Sequence, residues 1–85
     1  MLVTSISFPP LSEARCKWVD FDADNFVVRL EDGRSLEVPL TCYPRLAEST
    51  QEAREDWRLI GGGIGIHWPT IDEDISVAEL LGGAY

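Results

Sequence analysis

His67 with Asp72, Glu73 and Asp74 is the constellation in this chain whose residue types could do chemistry. An imidazole beside three carboxylates has two chemical uses. It could share a divalent cation with them, or it could act as a base whose proton affinity the acids raise. Zinc sites usually gather several His or Cys ligands, and the chain has a single histidine. The competing reading is structural: His67 donates a hydrogen bond to a loop acid or carbonyl and fixes the turn from one strand into the next helix. On that reading Trp68, the neighbour of His67, belongs to the same structural cluster.

Other residue types with chemical potential fall away on context. Ser12, Ser49 and Ser76 have no placed histidine and no oxyanion donors, so there is no triad to argue. The glycines at 61, 62, 63 and 65 suggest a phosphate cradle only if a strand leads in and a lysine-bearing helix leads out. Here a helical pattern leads in, a strand pattern leads out, and the lysine is missing. Close backbone packing and a helix cap are the better uses of those glycines. Trp18, Trp57 and Trp68 are the three tryptophans, and at least two must serve the core of so small a chain. Trp18 shares its strand face with Asp20 and Asp22, which marks it as the partly exposed one and a candidate interaction residue.

The elements that would position these residues read in order as follows. Leu2, Thr4, Ile6 and Phe8 alternate with Val3, Ser5 and Ser7, a strand period ended by Pro9-Pro10. A second strand covers 17–21, bounded by the turn formers Asp22-Ala23-Asp24-Asn25. Phe26, Val28 and Leu30 share one face of a third, and Asp32-Gly33 suits a two-residue type I′ turn. The expected hairpin pairs 26–31 with 34–39, with Pro39 at a strand end or edge. Helical character begins at Pro44, and Ser49 or Thr50 can cap a new helix. Ala53, Trp57 and Ile60 recur on one face of that helix, which Gly61 is expected to stop. Ile64, Ile66 and Trp68 then line a strand, Ile71-Asp72-Glu73-Asp74 forms a loop, and Ser76 with Glu79 makes a capping box. Ile75 and Leu80 are placed for the accompanying hydrophobic staple. The expected architecture is α+β: a small antiparallel meander or hairpin sheet packed with two or three short helices, as a single domain over 1–85.

Composition limits the function classes. The 85 residues carry 15 acidic and 7 basic side chains, a formal net charge of −8, with no basic cluster. Direct binding to a phosphate backbone is therefore electrostatically opposed, and a small basic protein is the better partner. The bland alternative is that the charge only keeps the domain soluble. A chain this close to the lower size limit for one hydrophobic core can also use self-association to cover leftover apolar surface. Cys16 and Cys42 lack metal-type spacing, and reduced thiols are expected, although a single long-range disulfide remains an option. No Lys or Arg precedes Arg15, the first apolar run breaks at Pro9-Pro10, and no stretch is long enough to span a bilayer. The expectation is a cytoplasmic protein without a cofactor and without a membrane segment.

Several runs together carry a family likeness. They are Asp32-Gly33-Arg34, Val38-Pro39-Leu40, Tyr43-Pro44-Arg45-Leu46, Trp57-Arg58-Leu59-Ile60-Gly61, Gly65-Ile66-His67-Trp68-Pro69 and Asp72-Glu73-Asp74-Ile75-Ser76-Val77 with Leu80-Leu81. In these the chain resembles the small bacterial family named domain of unknown function 2442. It departs at Gln51, where the family commonly has proline after the capping threonine. The resemblance implies a compact α+β domain. It also implies a gene that often lies beside that of another small protein, in pairs suspected to be toxin–antitoxin systems. No catalytic residue carries over. The leading expectation is a non-enzymatic interaction module, antitoxin-like, partnered by a small basic protein encoded next to it. The alternatives are a metal-dependent or acid/base site centred on His67, and an acidic decoy that occupies a nucleic-acid-binding surface.

Overall fold

The computed structural model describes residues 14–82; the strand expected over 2–8 lies outside the described residues. Strands β1 (Cys16–Phe21), β2 (Asn25–Leu30) and β3 (Ser35–Pro39) form an antiparallel meander in that order. Alternation sends Phe26, Val28 and Leu30 of β2 into the core together with Val19 and Val38. The β1–β2 turn is held by Asp22, whose carboxylate accepts from the backbone N–H of Asp24 at 2.9 Å and of Asn25 at 2.7 Å.

The β2–β3 hairpin has the expected strands but a different turn. Leu30 N–H donates to Arg34 O at 2.8 Å and Gly33 N–H to Leu30 O at 3.2 Å, leaving a three-residue loop from Glu31 to Gly33. Gly33 has φ +93°, whereas Asp72 is the only non-glycine with positive φ among the described residues. A type I′ turn would need positive φ at Asp32 as well, so the geometry fits a type I turn closed by a glycine bulge. Asp32 contributes through its side chain instead, accepting from the Arg34 N–H at 3.0 Å.

After a 3₁₀ turn at Leu40–Cys42 come two short helices, α1 (Pro44–Ala47) and α2 (Gln51–Glu55). Pro44 opens α1, and Thr50 Oγ1 caps α2 by accepting from Ala53 N–H at 3.1 Å. Arg54 ties the two together, donating to the carbonyls of Leu46 at 2.9 Å and Ala47 at 2.7 Å at the end of α1.

The second half corrects the expected helix. Helix α2 stops at Glu55, and Arg58–Ile60 is strand β4. Arg58 pairs with His67, Leu59 with Ile66 and Ile60 with Gly65 of β5 (Gly65–Trp68). Glycines 61, 62 and 63, all at positive φ, turn this hairpin rather than cap a helix. Three apolar residues at helical spacing were thus outweighed by cross-strand pairing and by the β preference of the Trp-Arg-Leu-Ile run. The expected loop at 71–74 is also shorter. Asp72 sits in the left-handed region at φ 52°, and Glu73–Ser76 continues as β6, antiparallel to β5. Ser76 ends β6 and caps α3 (Val77–Leu81), its Oγ accepting from Glu79 N–H at 3.4 Å.

The result is two three-stranded antiparallel sheets, β1-β2-β3 and β4-β5-β6, with three short helices around one core. Phe26, Val28 and Leu30 from the first sheet, Ile66, Trp68 and Ile75 from the second, and Leu46, Val77 and Leu80 from the helices belong to the same buried cluster. Both Ile75 and Leu80, the expected staple pair, lie in it. An aromatic group joins the halves: Phe26 meets Trp68 at a ring-centroid distance of 6.2 Å, Tyr43 at 5.8 Å and Phe21 at 5.7 Å. The Gly61–Gly63 turn docks on the start of β1, where Cys16 N–H donates to Gly63 O at 2.7 Å. A Cβ on Gly63 would lie 2.3 Å from the Cys16 carbonyl oxygen, so glycine is required there for space as well as for its φ of +113°.

Candidate functional site

Strand alternation divides the cluster expected around His67. On β5, Ile66 and Trp68 are fully buried, while His67 between them points to the opposite face. His67 stands directly across from Asp74 of β6 and Arg58 of β4. Its Nδ1–H donates to Asp74 Oδ1, a carboxylate being able only to accept. Asp74 is exposed and His67 half-buried, so this is a surface cross-strand pair that ties β5 to β6.

The remaining members turn elsewhere. The Asp72 backbone carbonyl accepts from Arg45 at 2.9 Å, linking the β5–β6 turn to α1. Glu73 pairs in register with Trp68. Trp68 is a core residue whose indole N–H donates to the Arg54 carbonyl at 3.0 Å, at the end of α2. Among the described residues no three or more His, Cys, Asp or Glu side chains converge as a metal would need. The metal reading is therefore left without a ligand set there, and an acid/base reading would have the His67–Asp74 pair alone.

Two other faces come out of the geometry. The first is built on β1, which lies at the edge of its sheet. Trp18 is 53% exposed and stands edge-on to Trp57, with ring centroids 4.9 Å apart and planes at 86°. The two rings help line a cleft of about 630 Å³ between β1 and helix α2, lined also by Asp20, Asp22, Arg54 and Glu55. Asp20 accepts from Trp18 Nε1–H at 3.1 Å and is ion-paired with Arg29. That guanidinium, hydrogen-bonded to Asp20, holds its carboxyl below the ordinary carboxylate range.

The second face is apolar. Strand β4 is the edge of the other sheet, and all three of its residues are exposed. Leu59 and Ile60, 40% and 42% exposed, adjoin the hairpin turn that carries Ile64, 44% exposed. Reading Leu59 and Ile60 as part of a helix hid this edge. The available signal was the tripled glycine, which marks a turn between two short β-branched or apolar runs as well as it marks a helix end.

Both cysteines are free thiols, Cys16 buried and Cys42 exposed. Burial pushes the Cys16 thiol up to about 11, against a partial offset from its hydrogen bond to the Trp18 carbonyl.

Two three-stranded antiparallel sheets sharing one core, with the histidine engaged in a cross-strand pair, define a small α+β domain. The chain belongs to the family described as Protein of unknown function (DUF2442), whose model matches residues 17–85. It is similar in structure to a crystallised protein of unknown function from Rhodospirillum rubrum ATCC 11170, with 27% sequence identity and a TM-score of 0.71. That match covers 84% of this chain and 88% of the other. No curated protein matches the chain. No helix among the described residues is long and apolar enough to cross a membrane.

Proposed function

We propose that this protein is a non-enzymatic interaction module that binds a small basic protein, as an antitoxin-like member of a two-gene pair. The observation that carries the reading is the β4 edge, the outer strand of its sheet among the described residues, where Leu59, Ile60 and neighbouring Ile64 present exposed apolar side chains. Such an edge is where a partner strand adds by main-chain hydrogen bonding, with side chains supplying the choice of partner. The net charge of −8 favours a basic partner and speeds encounter with it. A cytoplasmic setting fits two free thiols.

The test is co-expression with the product of the adjacent gene, followed by size-exclusion chromatography. The two should co-elute, and Leu59→Asp or Ile60→Asp should weaken the complex by about 2 kcal/mol or more, the scale of a central interface residue. Separate elution at every salt concentration would contradict the proposal.

A further inference from the structure

The cleft beside β1 is a second, chemically different surface. In the β1–β2 ladder Asp22 N–H donates to Asn25 O at 2.9 Å, and the register continues through Phe21↔Phe26, Asp20↔Val27 and Val19↔Val28. Hydrogen-bonded and non-hydrogen-bonded pairs alternate along an antiparallel ladder, so Val19 and Phe21 direct their backbone N–H and C=O groups away from β2, toward the cleft. Gly63 covers the Cys16 end of this edge, and the cleft begins beyond it at Trp18. It is lined by β1 and the start of the following turn, by Gln51, Arg54 and Glu55 of α2, and by the Trp18–Trp57 pair. Three carboxylates border it: Asp20, ion-paired with Arg29; Asp22, which accepts from the N–H groups of its own turn; and Glu55 of α2. The one cation on its lining, Arg54, is turned onto the Leu46 and Ala47 carbonyls of α1.

We infer that this cleft is a docking site for an extended, arginine-bearing segment of a protein partner, which adds as a strand along β1 and sets a guanidinium against Trp18 between the bordering carboxylates. Each part of the site answers one feature of that ligand. The outer edge of β1, unpaired beyond Gly63 among the described residues, takes its backbone, the half-exposed Trp18 indole attracts a cation, and the acids, Glu55 foremost, favour positive charge. A cleft of about 630 Å³ lies within the range of roughly 300–1,000 Å³ typical of ligand sites. The inference rests on the proposed function only for the sign of the partner's charge, and it concerns a different sheet edge from β4.

The test uses the full chain and a short capped peptide of alternating valine and arginine, followed by calorimetry and tryptophan fluorescence. The expected result is saturable binding that tightens as salt is lowered, weakens by about tenfold or more in Trp18→Ala and less in Glu55→Gln, and is unchanged in Leu59→Asp. Peptide N-methylated on alternate residues should lose binding by a similar factor, because one strand edge is blocked. Equal binding of a valine–glutamate peptide, indifference to Trp18→Ala and Glu55→Gln together, or indifference to N-methylation would overturn the inference. So would a concentration-dependent dimer abolished by Trp18→Ala, which would give the cleft to a second copy. Because the peptide assay does not involve the adjacent gene product, its failure leaves the β4 proposal standing, and failure of co-elution leaves this one standing.

Discussion

Gly63 shows how much a single residue decides in this protein. Its missing side chain lets the β4–β5 turn lie against the Cys16 backbone, and its φ of +113° is one that side-chain-bearing residues rarely adopt. Gly63→Ala should cost about 3 kcal/mol or more, combining backbone strain with a forced separation of two main chains, and a lowered denaturant midpoint would register it. Gly33→Ala, where a Cβ would meet nothing within 4 Å, should cost only the conformational strain of its φ of +93°, about 1 kcal/mol. The cysteines give a contrast in reactivity. Cys42 should react with a thiol reagent in the native protein, while Cys16 reacts only on unfolding. The buried Cys16 thiol, raised from 9.0 to about 11, contributes stability that is complete below about pH 9 and lost as pH climbs toward 11. Cys16→Ala should flatten that alkaline decline in a stability–pH curve. His67→Ala removes an exposed cross-strand pair and should cost at most about 1 kcal/mol. A His67→Ala variant that kept its stability but lost a measurable activity would favour the acid/base alternative.

At the scale of elements, the join between α2 and β4 is the point on which the fold turns. Trp68 reaches under it to hydrogen-bond the Arg54 carbonyl, while Arg54 itself closes α1. Trp68→Leu would leave a cavity among Phe21 and Phe26 and orphan that carbonyl, for a loss of about 3 kcal/mol or more in chemical denaturation. The first sheet was legible because Phe26, Val28, Leu30 and Val38 follow a strict period of two around a glycine turn. The second was only partly so. Its first strand has three residues, too few to show any period, and the Ala53, Trp57 and Ile60 spacing imitated a helix. Ser76 was readable as a cap for α3 because capping is local chemistry between neighbours. The Trp18–Trp57 contact was not readable, since it depends on where two distant segments are brought by the core. For the same reason the run from His67 to Asp74 looked like one cluster, when strand alternation and a left-handed Asp72 send its members to different faces.

For the whole molecule, charge shapes the pH dependence of stability and, on the proposed function, the encounter with a partner. Asp20, hydrogen-bonded to Arg29, and Asp32, hydrogen-bonded to Arg34, have carboxyls lowered from the ordinary value of 3.8. Groups lowered in this way contribute stability above their unfolded values and lose it as pH falls through the folded ones. Stability should therefore decline on the acid side of about pH 4, and less steeply in an Arg29→Ala, Arg34→Ala double variant. The same excess of acids at neutral pH should steer a basic partner. The most direct check is the association rate of this protein with the product of its adjacent gene, measured by stopped flow across a series of salt concentrations. The account predicts a stable complex whose association slows by about tenfold or more as salt rises, with Leu59→Asp acting mainly on dissociation. A rate indifferent to salt, or no association at any salt concentration, would contradict it.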